Sequence, residues 1–407
     1  MPPAGCLGDV RAMSRPPRVR TGLDVLRDEQ FAPLRGQRVG LVTHAAAVDT
    51  QLRPAFELFR EAHGIHLVAL FGPEHGLRGT AQDLASVASA DDPFSKLRVH
   101  SLYGDTPESL KPTAEQLAGI DVLVVDLVDV GSRYYTFQAT TLLCLEAAAR
   151  QRIKMVVLDR PNPIGGDIVE GPTMSQGFES FVGLYPVPIR HGLTLGELAR
   201  LYHAERGLQG ELEVIPCDGW QRRLWFDDTG LPWVLPSPNM PTLETATVYP
   251  GQCLIEGTNL SEGRGTTRPF ELCGAPWIEP RALANRLRES DLPGVAFRPA
   301  WFTPTFQKWK GQTCGGVQLH VTDREACRPV RMSLTLLAAF RELSGSQFGW
   351  RREPYEFVAD RPAIDLLFGS DRERMALERN RPPAEIAQPW ESEEEEFRAR
   401  RRPFLRY

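Results

Sequence analysis

From about Leu23 to about Ala204, short β-branched runs alternate with amphipathic segments. Arg38 to Thr43 (RVGLVT), His66 to Phe71 (HLVALF), Asp121 to Leu127 (DVLVVDL) and Lys154 to Leu158 (KMVVL) read as strands. Their apolar character is continuous rather than alternating, which predicts burial on both faces in a parallel sheet covered by helices. Pro54 to His63 reads as a helix. In Gln138 to Arg150, Leu142, Leu143, Leu145, Ala148 and Ala149 share one helical face, as a crossover connection requires. The rhythm predicts an α/β chain with a Rossmann-like parallel sheet in its N-terminal domain.

Each predicted strand runs straight into polar residues and glycines: Thr43-His44, Gly72 to Gly76, Asp126 to Gly131, and Asp159 to Asn162. The carboxyl ends of parallel strands lie along one edge, so these segments are expected to converge on a site there. Thr194 and Glu197 have capping-box spacing, which sets Arg190 and His191 just ahead of a helix N-terminus where an anionic or carbonyl group could dock.

Between Pro216 and Pro250 the chain turns to Trp, Pro and Asp, and Leu235 to Thr242 (LPSPNMPT) can continue neither a helix nor a central strand. This reads as a hinge. It divides residues 21–245 from a smaller α/β C-terminal domain, 246–407, in which Gly316 to Thr322 reads as a strand and Val330 to Leu343 as a helix. A length of 407 residues likewise suits two domains and two cores. In the tail, Glu394 with Arg398 and Glu396 with Arg400 predict a solvated helix of decorative character.

Charge then narrows the partners. With 47 basic and 52 acidic side chains intermixed, the net charge of -5 provides no broad positive field, so no nucleic-acid partner is expected. No apolar run reaches the roughly 20 residues of a membrane span, and no hydrophobic segment precedes Cys6 to make a signal peptide or lipid anchor. The expectation is a cytoplasmic protein, with Met13 as an alternative start. Seven scattered cysteines without a C-x-x-C pair predict reduced, buried thiols.

The chain has no G-x-G-x-x-G after a strand, no P-loop motif, no G-x-S-x-G elbow and no H-E-x-x-H, and no cofactor is expected. What remains is carboxylates on polar loops. Glu74 lies in FGPEHGLRG, where proline and glycines fix a tight turn just past a strand. A carboxyl held at a pocket edge is what glycosidic cleavage requires, because the leaving alcohol must be protonated as an oxocarbenium-like transition state develops. Asp126 and Asp129 are candidates for a second carboxylate, or else turn caps. Gly257, Gly263 and Gly265, in IEGTNLSEGRGTTRPFE, would let the backbone approach a ligand. In the same segment Asn259, Ser261, Glu262, Arg264 and Thr266 offer groups that suit sugar hydroxyls or carboxylates. Tyr134, Tyr135, Phe137, Trp277, Trp301 and Trp309 are aromatic candidates for stacking on sugars, or core residues.

Taken together and in order, FGPEHGLRG, VDLVDVGSRYYTF, VLDRPNPIGG with VEGP, PIRHGLTLGEL, PSPNMPT and EGTNLSEGRGTTRPFELCGAPWI resemble the exo-acting β-N-acetylmuramidase family. The resemblance implies a glycoside hydrolase that releases terminal N-acetylmuramic acid from the non-reducing end of peptidoglycan fragments, working in a cleft between a Rossmann-like domain and a smaller one. It implies Glu74 as the catalytic residue, with Asp126, Asp129 or the substrate's acetamido oxygen in the second role. Substrate contacts are expected from His75, Arg160, Asn162, Arg190, His191, Asn239, Asn259, Glu262 and Arg264, the lactyl carboxylate pairing with Arg264, Arg190 or Arg160. The chain departs from relatives at THAAAVD, where they carry asparagine and glycine, and at Val128, where many have glutamine. Two rival readings are a non-catalytic saccharide binder and a metal-dependent hydrolase using His44, His75 and His191.

Overall fold

The structure, a computed structural model, describes residues 19–82, 84–92 and 96–407. Cys6 and Met13, and the reading of the leader, lie outside the described residues.

The first half builds a mixed sheet. Strands β1 (Arg38–Thr43), β2 (His66–Gly72), β3 (Ala90–Asp91), β4 (Arg98–Ser101), β5 (Val122–Asp126) and β6 (Lys154–Leu158) are followed by the separate antiparallel pair β7 (Glu170–Thr173) and β8 (Pro188–Arg190). Strand β9 (Leu212–Ile215) then completes the seven-stranded order β3-β4-β2-β1-β5-β6-β9. All its pairings are parallel except β3 with β4. Helices α1 (Gly22–Asp28), α2 (Ala55–Glu61), α3 (Ala114–Leu117), α4 (Phe137–Gln151) and α5 (Leu195–Glu205) accompany it. The continuous apolar runs are explained by two-sided burial: Val122 and Val124 of β5 enter one apolar cluster with Leu23, Leu41 and Phe59, while Leu123 and Val125 enter another.

The expected hinge contains a helix, α6 (Leu243–Gln252), with Pro250 in its last turns. Thr242 accepts from the Thr245 N–H and starts it, and Pro250 is tolerated because the helix ends two residues later. Beyond it come the three-stranded sheet β10 (Leu272–Ala275), β12 (Cys314–Val321) and β11 (Val295–Phe302), in that spatial order. Helices α7 (Pro280–Arg288), α8 (Pro329–Ser344), α9 (Ala363–Phe368), α10 (Arg372–Glu378), α11 (Pro383–Ala387) and α12 (Trp390–Arg401) complete the chain.

The core is not divided as the two-core expectation has it. One cluster runs from Phe71, Leu123 and Leu142 beside the large sheet through Tyr249 and Leu254 to Val317, Leu337, Phe368 and Phe397. The tail is therefore structural in a stronger sense than decoration. Trp390 is fully buried, and the Arg401 guanidinium donates to the carbonyls of Gly166, His191 and Gly192, tying the C-terminus to the loops after β6 and β8. Glu394 meets Arg398 at 3.6 Å, whereas Arg400 reaches Glu205 instead of Glu396.

Candidate active site

The turn after β2 places Glu74. His75 and Gly76 take positive φ values, 69° and 76°, and the Gly76 N–H donates to Pro73 O at 2.9 Å. A Cβ at Gly72 would come within 2.8 Å of Leu77 N, so the tight approach needs that glycine. The turn aims Glu74, 5% exposed, into a cavity of about 480 Å³. Thr136 Oγ1 donates to Glu74 Oε2 at 2.6 Å, and the Leu84 N–H donates to Oε1 at 3.3 Å.

Both halves of the chain wall this cavity. The N-terminal half supplies Glu74, His75, Tyr135, Thr136, Ser237 and Asn239; from beyond it come Tyr249, Glu256, Arg264, Phe270, Tyr355 and Glu356. His75 Nδ1 is 2.8 Å from Ala81 O, and since a carbonyl only accepts, the proton sits on Nδ1. Asn239 Nδ2 donates to Gln82 Oε1 at 3.0 Å. Arg264 Nη2 donates to Glu256 Oε1 at 2.6 Å, the other Glu256 oxygen accepts from Tyr355 Oη at 2.9 Å, and the guanidinium lies 5.0 Å over the Phe270 ring. The Tyr135 phenol is buried in this wall beside Ser237, and burial holds it well above the usual tyrosine value.

Several expected site residues lie elsewhere. Asp126 is fully buried and spent on Arg160, at 2.5 Å to Nε and 2.9 Å to Nη2, so neither residue lines the Glu74 cavity. Asp129 and Arg160 line a second, more apolar cavity of about 500 Å³ with Trp233 and Phe226. Asp129 caps its own turn by accepting from the Gly131 N–H at 2.7 Å, and burial pushes its carboxyl up to about 7. Asn162 bridges Leu193 O and the Ile164 N–H. Arg190 donates to Ile164 O at 2.5 Å beneath Trp225, and its burial lowers its pKa to about 10. His191 Nδ1 accepts from the Leu193 N–H, and burial drops that imidazole to about 3.

The Thr194 capping box forms as expected, but the helix N-terminus behind it is already occupied. Asp159 accepts from Thr194 Oγ1 at 2.7 Å and from the Gly196 N–H at 2.9 Å, so the docked anion belongs to the chain itself. Gly263 and Gly265 also serve internal packing. A Cβ on Gly263 would meet Leu272 O at 2.5 Å, and one on Gly265 would meet Phe306 N at 2.8 Å. Nor do the three histidines form a metal set: His44 Nε2 is used in accepting from the Val128 N–H at 3.0 Å. No group of three or more His, Cys, Asp or Glu side chains among the described residues could hold a metal ion. The six described cysteines are free and buried, and no described helix is long and apolar enough to cross a membrane.

Asn259 and Glu262 stand outside the Glu74 cavity, on an adjoining groove. Thr136, Ser237, Glu256, Tyr355 and Glu356 were not singled out from the sequence. Thr136, Ser237 and Glu256 sit inside motifs already quoted, which is the one signal that could have found them.

Residues 39–244 match the family described as exo-beta-N-acetylmuramidase NamZ, N-terminal, and residues 247–407 match its C-terminal counterpart. The chain belongs to the NamZ family. It is 44% identical over 394 residues to the peptidoglycan beta-N-acetylmuramidase NamZ of Bacillus subtilis (strain 168), covering 97% of this chain and 92% of that one. Among solved structures it is similar to two DUF1343 family proteins from Bacteroides fragilis NCTC 9343. One matches with a TM-score of 0.86 at 35% identity, the other with 0.75 at 29%, each alignment covering 96% of this chain and 99% of the other. The NamZ N- and C-terminal matches meet within α6, whose Tyr249 lines the Glu74 cavity.

Proposed function

We propose that this NamZ-family chain is an exo-acting glycoside hydrolase that releases terminal β-linked N-acetylmuramic acid from the non-reducing end of peptidoglycan fragments, with Glu74 as general acid. One observation carries the reading: a carboxyl group buried in the wall of a polar-lined cavity to which both halves of the chain contribute. The kinship with the Bacillus subtilis enzyme supports the substrate class.

In this reading the Glu74 proton passes to the glycosidic oxygen as the bond to the anomeric carbon breaks. With Asp126 held by Arg160, Asp129 in another cavity and both oxygens of Glu256 engaged, the substrate's acetamido oxygen takes the nucleophilic role. Glu74, now a carboxylate, then takes a proton from the water that opens the cyclised intermediate. Arg264, the member of the expected arginine trio that lines this cavity, faces the lactyl carboxylate, and the Tyr135 hydroxyl on the same wall meets a polar substituent of the sugar.

The test is turnover of a chromogenic β-N-acetylmuramide and its N-acetylglucosamine analogue by the wild type and by Glu74→Gln, with and without a chelator. Loss of nearly all turnover in a folded Glu74→Gln protein, with the muramide preferred and chelation without effect, is expected. Near-normal turnover by that variant would overturn the acid role, binding without product would favour the saccharide binder, and loss on chelation the metal-dependent reading. Proton NMR of the freshly released sugar should show the β anomer first, since acetamido attack followed by water gives two displacements.

A further inference from the structure

The Glu74 cavity does not stand alone. It adjoins a wider groove of about 1190 Å³, and Leu84 and Glu256 line both spaces. The groove's other walls carry two partly exposed tryptophans, Trp309 and Trp350.

Both indoles are fixed in place by bonds to their polar edges. Trp309 Nε1 donates to Asn259 O at 2.7 Å, and its ring meets Trp277 edge-on at 5.1 Å. Trp350 Nε1 donates to Glu378 Oε1 at 3.0 Å, with Phe348 edge-on at 4.9 Å. Asn259 links the two supports. Its side chain accepts from the Gly349 N–H at 3.0 Å and donates to Gln347 O at 2.8 Å, while the neighbouring Thr258 bridges to Trp350. Lys308, beside Trp309, donates to the carbonyls of Ile255, Glu256 and Leu260 and to the Glu262 carboxylate, clamping the β11–β12 loop against the wall of the catalytic cavity. Aromatic faces held this way need little further ordering when a ring docks on them.

The chemistry of the walls selects the occupant. Pyranose rings pair an apolar face with a polar rim, and pinned indoles suit that face. An acidic peptide would call for uncommitted cations instead, but the Lys308 ammonium is already shared among four acceptors, the Arg351 guanidinium lies 5.0 Å over the Tyr355 ring, and the walls also carry the carboxylates of Glu256, Glu262 and Glu353. If the Glu74 cavity holds the terminal sugar, as the reading above has it, whatever extends into the groove lies beyond the scissile bond. We infer that this groove binds the sugar residues on the leaving-group side of a glycan chain, with Trp309 and Trp350 as stacking platforms.

The experiment compares Trp309→Ala, Trp350→Ala and the corresponding Phe variants in the full-length chain. It measures kcat/KM on an aryl β-N-acetylmuramide and on a peptide-free tetrasaccharide of the glycan beginning with N-acetylmuramic acid. Each Ala variant should lower the ratio of tetrasaccharide to aryl glycoside activity roughly tenfold, the size of one ring contact, with the Phe variants retaining most of it. An unchanged ratio in folded Ala and Phe variants overturns the inference, as does an effect seen only when a stem peptide is attached. Calorimetric titration of the tetrasaccharide into the same variants on a Glu74→Gln background separates the two proposals. Tryptophan-dependent binding sustains the groove even if the wild type hydrolyses nothing, and binding indifferent to both tryptophans removes it even if hydrolysis is confirmed.

Discussion

Thr136 and Glu74 are 62 residues apart in the chain, yet the threonine hydroxyl donates a 2.6 Å hydrogen bond to the carboxylate. Thr136 is the N-cap of α4, but its hydroxyl makes no capping bond to that helix. It is directed to Glu74 instead. The bond joins the turn after β2 to the helix after β5 and holds the carboxylate in one orientation.

Because this donor stabilises charge that builds on Glu74 as its proton leaves, Thr136→Val should lower kcat about 10-fold or more with KM little changed, in keeping with about 1.5–3 kcal/mol for a hydrogen bond to a charged group. Thr136→Ser should restore most of the rate. Steady-state kinetics on the aryl muramide checks this, and a Val variant at wild-type kcat would show that the hydroxyl only packs.

Arg264 should decide between the muramide and its N-acetylglucosamine analogue, which lacks the lactyl carboxylate. Removing the arginine alone would strand Glu256, so the informative protein is Arg264→Met combined with Glu256→Gln. The preference for the muramide in kcat/KM should fall at least about 10-fold, the size of a charge-assisted contact, mainly through KM. An undiminished preference would place carboxylate recognition elsewhere.

Asp129 makes stability depend on pH. Burial raises its carboxyl from 3.8 to about 7, so the unfolded chain ionises first as pH rises. Its contribution is fully present below about pH 4 and is lost progressively as pH climbs to about 7 and beyond. Asp129→Asn cannot ionise, so its Tm should gain on that of the wild type steadily between those limits. Turnover should persist, because Asp129 does not line the Glu74 cavity. Parallel Tm curves for the two proteins would refute the assignment.

Much of the framework was readable from local pattern. The β1 and β6 strands begin and end where their apolar runs do, and α4 extends the expected 138–150 helix by one residue at each end. The reason is that strand burial and helix amphipathicity are properties of consecutive residues. Motif order likewise pointed to the family, and turn chemistry marked Glu74 as a carboxyl held at the end of a strand.

What neighbours do to a side chain is not local. Asp126 and Glu74 look alike in sequence, one an acid closing a strand and the other an acid just past one, each ahead of glycines. Arg160, 34 residues on, pairs both oxygens of Asp126 with a cation, while Glu74 accepts from the neutral Thr136 hydroxyl and Leu84 N–H and lines a cavity shared with Tyr249, Arg264 and Tyr355. The same holds for the helix start at Thr194, filled by Asp159, and for the glycines of 257–265, which admit the chain's own backbone. The sequence by itself determined the parallel sheet, its loop-bearing edge and the set of candidate carboxylates. Only the tertiary structure decided which of them faces a void, because a charge is committed or left available by whichever distant segment packs against it.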